Sequence, residues 1–125
     1  MFVRFVVAER DPDSQQPKGI FQACRDLRDA DHLDASTEAW ADQILEWFGV
    51  HLPSPERLAW SSRPNAPNRA LSWFRTSAKD HVLRARELAS LLETCGVQVE
   101  ILRTTRPGYI LYEDAWQVVA MPFND

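Results

Sequence analysis

The chain opens with an apolar run in which Val and Phe dominate, and it then changes to a helical pattern. Residues 2–8 predict a strand with Val3, Phe5 and Val7 on one face. From residue 19 to residue 30, apolar residues recur every three or four positions and charged residues lie opposite them. This second segment is therefore predicted to be an amphipathic helix.

A second helix is predicted from Thr37, with Ser36 as its cap and Gly49 at its end. Its apolar residues follow the i, i+4, i+7, i+8 pattern and are Trp40, Ile44, Trp47 and Phe48. The connection from Val50 to Pro67 holds four of the eight prolines in the chain. Because proline fixes φ and lacks an N–H donor, this connection is predicted to be an irregular but stiff surface loop.

Beyond the loop, apolar residues in steps of three and four predict a third helix that ends near Cys95 and Gly96. These residues are Leu71, Phe74, Ala78, Val82, Ala85, Ala89 and Leu92. The pattern leaves two starts open. The helix either begins near Asn68, or it follows a turn with Ser77 as its cap and Asp80 three positions later, which we favour.

The last third of the chain predicts three strands, at residues 97–103, 109–112 and 116–121, joined as a meander. The order β-α-α-α-β-β-β predicts a single α+β domain over residues 1–125, with a mostly antiparallel sheet of about four strands and helices packed on one face. The last strands show little polar alternation. We therefore expect the long loop, or a second copy of the chain in a homodimer, to cover the other face.

Charge is divided unevenly along the chain, whose formal net charge is −4. Residues 1–56 carry 5 basic and 11 acidic groups, residues 57–86 carry 7 and 1, and residues 87–125 carry 2 and 6. The balances are therefore −6, +6 and −4. Such asymmetry indicates either a charged binding face or complementarity between segments of the same chain.

The basic middle segment is the predicted binding site. On one helix, Arg75, Lys79 and Arg86 would lie within about 40° of each other. The predicted site comprises Arg63, Asn65, Asn68, Arg69, Trp73, Arg75, Lys79, His81 and Arg86. Arginine offers forked donors and Trp a stacking face, which predicts contact with an anionic surface on a protein or nucleic acid. The alternative is that Asp26, Asp29, Asp31 and Asp34 neutralise these groups and the Trp side chains fill the core.

No motif specific for catalysis, cofactor or metal binding is present, so an enzyme is the less favoured class. The two cysteines, Cys24 and Cys95, lie 71 positions apart without ligand spacing and are expected to be buried thiols. The N-terminal pattern predicts neither a signal peptide nor a membrane span, which favours the cytoplasm.

Two alternative functions stay open. One is a small hydrolase or nuclease in which His81 acts with arginines that hold phosphate, provided that Asp11 or Asp13 lies within hydrogen-bond reach. Arg10, Asp11 and Asp13 follow the first strand, where two acids can also hold a divalent ion. The other is an immunity- or antitoxin-like protein that binds a basic partner through its acidic half.

Overall fold

A computed structural model of the protein describes residues 1–12, 15–54 and 69–123. The described elements are β1 (Phe2–Arg10), β2 (Pro17–Gly19), α1 (Ile20–Asp29), α2 (Ala35–His51), β3 (Leu71–Arg75), α3 (Lys79–Thr94), β4 (Glu100–Thr104), β5 (Tyr109–Glu113) and β6 (Gln117–Met121). All strand pairs are antiparallel. The predicted α+β class is confirmed, with six strands in place of the expected four.

β1 is an inner strand of the sheet and pairs with three others. On one edge it pairs with β4 from Phe2 to Val6. On the opposite edge Phe2 and Val3 pair with β3, whereas Val6 and Arg10 pair with β2. β3 then pairs with β6, and β6 with β5, so the sheet ends in a hairpin.

Two parts of the predicted order are wrong. The segment Leu71–Arg75 is a strand at the middle of the sheet and does not extend the third helix. Leu71 and Phe74 are three positions apart and both buried, which fits a helix as well as a strand with two covered faces. The predicted meander also fails, because β4 pairs with β1 and only β5 and β6 form a hairpin.

Helix ends also differ from the prediction. α2 is capped by Asp34, whose carboxylate accepts from the Thr37 N–H at 2.8 Å, and Ser36 lies inside the first turn. An Asp is as good a cap as Ser, so either position satisfies the pattern. The predicted end at Gly49 is also shifted, because Gly49 lies inside the last turn of α2, which ends at His51. The expected break before α3 is present, but Ala78 is the N-cap residue and no side chain caps it.

The core has a helix side and an opposite side. All three described helices pack on the face of β1 that carries Val3, Phe5 and Val7, as predicted. On the other face Trp73 packs with Leu71 and Val118 in a separate cluster. The Pro-rich connection that was expected to cover this face lies mostly outside the described residues, and the homodimer stays a prediction.

The two cysteines differ in their exposure. Cys24 is buried, as predicted, and Cys95 is half-buried. None of the helices in the described ranges is both long and apolar enough to cross a bilayer.

The β5–β6 hairpin is organised around the carboxylate of Asp114. It accepts from the backbone N–H groups of Trp116 (2.8 Å) and Gln117 (2.9 Å), from the Tyr112 hydroxyl (2.8 Å) and from the Gln117 side-chain amide (3.2 Å). Burial raises the pKa of Asp114, but these hydrogen bonds to the charged form outweigh burial and hold the pKa below its ordinary value. A hydrogen bond from Lys18 likewise lowers the pKa of Asp26.

Acid is therefore expected to destabilise the hairpin. Because the folded pKa of Asp114 is lowered, its stabilisation is complete above the unfolded value of about 3.9 and is lost as pH falls through the folded value. The substitution Asp114→Asn should lower the melting temperature at pH 7 and flatten its decrease between about pH 4 and pH 2. Calorimetry across this range, with the exposed Asp80→Asn as control, measures the effect. An unchanged acid slope in Asp114→Asn would contradict this interpretation.

Candidate functional site

The predicted basic edge does not form on one helix. Arg75 lies in β3, whereas Lys79 and Arg86 lie in α3. The Arg75 guanidinium is bound within the chain, at 2.9 Å from Glu113 and 2.8 Å from the carbonyl oxygen of Asp114. Lys79 and Arg86 are exposed and form no ion pair with any described residue. Of the three residues predicted to form one basic edge, two are therefore exposed on α3 and the third is bound within the sheet.

The loop part of the predicted site is only partly visible. Arg63, Asn65 and Asn68 lie outside the described residues. Arg69 is half-buried and already has an interaction partner. The Trp73 side chain is 9% exposed, and its indole Nε1 has no hydrogen-bond partner within the described ranges. Trp73 thus belongs to the core, as the alternative interpretation expected of the Trp side chains.

Of the four aspartates that could neutralise the basic middle segment, three contact other groups. Asp26 pairs with Lys18 at 2.8 Å, Asp29 is 3.9 Å from Arg28, and Asp34 caps α2. Asp31 adopts a positive φ of 58° in the turn after α1. Across the described part of the chain, no ion pair joins these four carboxylates to the basic middle segment.

His81 is a buried residue that lies between aromatic rings. It is 5% exposed, and its Nε2–H donates to the carbonyl oxygen of His51 at 2.8 Å. The rings of Trp47 and Trp116 lie 5.0 and 5.6 Å from it. The described hydrogen bond and ring contacts of His81 involve no carboxylate, and Asp13 lies outside the described residues. The surroundings of His81 therefore give the hydrolase alternative no support.

The described part of the turn after β1 is held by hydrogen bonds, and Asp13 of the predicted acidic pair lies outside it. Arg10 donates to the carbonyl oxygen of Gln15 at 2.6 Å, and the Asp11 N–H donates to the carbonyl oxygen of Gln16. No cluster of three His, Cys, Asp or Glu side chains that could hold a metal occurs in residues 1–12, 15–54 and 69–123.

A more suitable site lies at a gap in the sheet. On one edge of β1, pairing with β3 ends at Val3 and pairing with β2 starts at Val6, so that Arg4 and Phe5 lie between the two pairings. A cavity of about 310 Å³ opens at this gap. Its described lining residues are Arg4, Phe5, Gly19, Ile20, Phe21, Arg25, Leu45, Phe48, Gly49, Leu52, Pro53, Ser54, Ser72, Trp73, Phe74 and Gln117.

The Arg4 guanidinium lies at the wall of the cavity and forms no ion pair with a carboxylate of the described residues. Its Nη1 donates to the carbonyl oxygen of Ser72 at 3.1 Å and its Nη2 to that of Pro17 at 3.2 Å, which joins the two strands across the gap. Burial lowers the pKa of Arg4 to about 10, and the negative charge of Asp11 only partly opposes this effect. A cation that is desolvated without a contacting anion is a candidate for ligand binding.

The N terminus of α1 borders the same cavity. Its N-cap residue is Gly19, so no side chain accepts from the first N–H groups, and the first turn carries no acidic residue. A methyl group at Gly19 would lie 3.4 Å from the Arg4 Nη1, which shows how closely the guanidinium approaches the helix start. One turn later, Arg25 is exposed and lines the cavity, and it forms no ion pair within the described residues.

The arrangement is suited to holding an anion against an apolar wall. Two guanidinium groups and an uncapped helix N terminus supply positive potential and N–H donors. The described lining residues include no Asp or Glu. Most of the remaining lining is aromatic or aliphatic, a composition common in ligand pockets.

Sequence reasoning did not find Arg4, Gly19 or Arg25 as site residues. Arg4 is the one charged residue within an otherwise apolar stretch of strand, and Gly19 precedes the first helix where Ser, Thr, Asp or Asn would be the usual cap. Both signals are visible in the sequence. What the sequence does not show is that strand pairing brings them together at one gap.

Comparison with known proteins adds no functional information. No family model matches the chain, and no curated protein or solved structure is significantly similar to it.

Proposed function

We propose that this protein is a small binding module, without chemistry of its own, that recognises an anionic group of a partner molecule in the cavity between β1, β3 and α1. The observation that supports this most strongly is that Arg4 and Arg25 line the cavity and no described lining residue carries a negative charge.

The expected source of affinity is the charge of Arg4. Its guanidinium is half-buried, and among the described residues its hydrogen bonds go to carbonyl oxygens. Since most of the cost of removing this cation from water is already included in folding, a bound anion adds favourable charge-assisted hydrogen bonds of about 1.5–3 kcal/mol each. Arg25, which is exposed, would contribute less and with a stronger dependence on salt.

Binding is favoured over catalysis by the chemistry of the lining residues. The described ones include no His, Cys, Lys, Tyr, Asp or Glu, so the hydroxyls of Ser54 and Ser72 have no general base beside them in the cavity. Hydrolysis at this position would require such a base. The partner classes expected from the sequence, a protein or a nucleic acid with an anionic surface, are both able to supply an anionic group.

Titration of the ¹⁵N-labelled protein with acetate and with inorganic phosphate tests the proposal. We expect shifts concentrated at the amides of Ile20, Phe21 and Gln22, which start α1. The variant Arg25→Gln should weaken this binding several-fold at low salt, whereas the control Arg86→Gln on α3 should not. Shifts scattered over the surface, or equal effects of the two variants, would refute the cavity as the site.

A further inference from the structure

We infer that the ligand of this cavity is a hydrophobic monocarboxylate, that is, one carboxylate attached to a compact aromatic or aliphatic group. This inference rests on the proposed function and names the chemical class that the cavity selects. Such a group occurs in small organic acids and also at the C terminus of a polypeptide that ends in an apolar residue.

The apolar part of the ligand is indicated by the ring cluster in the cavity wall. The ring centroids of Phe21 and Phe48 are 4.8 Å apart in an edge-to-face arrangement, and Phe74 lies 5.9 Å from Phe48 and 6.2 Å from Phe21. Leu45 and Leu52 extend the same wall. Removing apolar surface from water is favourable in free energy. An apolar ligand group that fills this space is therefore expected to bind more tightly than a bare anion.

A carboxylate is indicated by the donors that remain on the half-buried guanidinium of Arg4. Arg4 already uses one N–H on each Nη for carbonyl oxygens, and the Gln117 side-chain amide is bound to Pro53 and Asp114. What remains is a fork of Arg N–H groups and the helix start, which matches the two oxygens of a carboxylate.

The size of the ligand is limited by the cavity. Its volume of about 310 Å³ lies at the lower end of the range of ligand pockets, roughly 300–1,000 Å³. A single ring with a short acid chain is of the expected size, whereas a nucleotide is not.

Isothermal titration of the full chain with four probes tests the inference: 3-phenylpropanoate, 3-phenylpropanamide, acetate and inorganic phosphate. We expect 3-phenylpropanoate to bind at least about tenfold more tightly than acetate and than its own amide. The variant Phe21→Leu should weaken 3-phenylpropanoate by a larger factor than acetate, while Arg25→Gln should weaken both by a similar factor.

The outcomes separate this inference from the proposed function. If acetate and phosphate bind at the helix start but 3-phenylpropanoate binds no more tightly, the inference is wrong and the proposed function stands. If no anion binds there, both fail. Equal binding of 3-phenylpropanamide and the acid also overturns the inference.

A second pair of probes identifies the source of the carboxylate. The peptide Gly-Gly-Phe is titrated with a free and with an amidated C terminus. Tight binding of the free peptide alone supports the inference with a polypeptide terminus as ligand. Binding of 3-phenylpropanoate without binding of either peptide supports it with a small organic acid.

Discussion

Replacing Gly19 by Asp is expected to abolish ligand binding while raising the thermal stability of the protein. Gly19 has an extended backbone, φ −71° and ψ 163°, which any residue can adopt. A Cβ at this position would lie 3.4 Å from Arg4 Nη1. An Asp carboxylate would therefore cap α1, pair with the Arg4 guanidinium and occupy the place that we assign to the ligand.

The two effects have opposite signs, which makes the variant informative. Capping is expected to add a few tenths to about 1 kcal/mol to the free energy of unfolding. The affinity for 3-phenylpropanoate should fall by at least about a hundredfold, because ligand and Asp would compete for the same donors with like charges. Denaturant unfolding and isothermal titration measure the two changes on the same sample.

The neutral variant Gly19→Asn is the matched control. Asn caps a helix about as well as Asp but carries no charge, so it should stabilise the fold and retain more of the binding. If Asp and Asn reduce binding equally, the loss is steric and not electrostatic. If Gly19→Asp binds the ligand as well as the wild type does, the proposed site is wrong.

Replacing His81 by Ala is expected to lower the free energy of unfolding by about 3 kcal/mol. The imidazole is 5% exposed, and its ring centroid lies 5.0 to 6.4 Å from four aromatic rings, so truncation leaves a cavity. It also leaves the carbonyl oxygen of His51 without its donor at 2.8 Å. The rings involved are those of Trp47, Phe48, Phe74 and Trp116.

Urea denaturation measures this effect against two controls. His81→Gln retains an N–H donor and should lose less stability than His81→Ala. His32→Ala removes an exposed imidazole and should change the free energy of unfolding by less than about 0.5 kcal/mol. Unchanged stability in His81→Ala would show that His81 is not a structural residue and would restore its candidacy as a functional one.

The periodicity of the sequence correctly predicts elements that bury one face and expose the other. α1 is an example, because Ile20, Ala23 and Cys24 face the core while the opposite side is charged. β3 fails this test, since Leu71 and Trp73 are buried on one face of the sheet and Phe74 on the other. A five-residue segment buried on both faces has no period that separates a strand from a helix.

The charge pattern predicted an anion-binding function in the basic middle segment, whereas the arginines of the cavity that we propose as the site lie in another part of the chain. The two arginines of the cavity belong to residues 1–56, whose balance is −6. In the same segment, the acidic groups Glu9 and Asp26 pair with Lys18, and Asp42 pairs with Arg28. In the +6 segment, by contrast, Arg75 is paired with Glu113. A sum of charges over a segment does not show which cations keep a free face, since that depends on contacts between distant strands.

A crystal structure of the protein with 3-phenylpropanoate tests the central claim most directly, namely that the gap beside β1 is an anion site. We predict the carboxylate within hydrogen-bond distance of the Arg4 or Arg25 guanidinium and of the first N–H groups of α1, with the phenyl ring against Phe21 and Phe48. A ligand bound elsewhere, or an Arg4 guanidinium that is closed off by a carboxylate of the same chain, would contradict the claim.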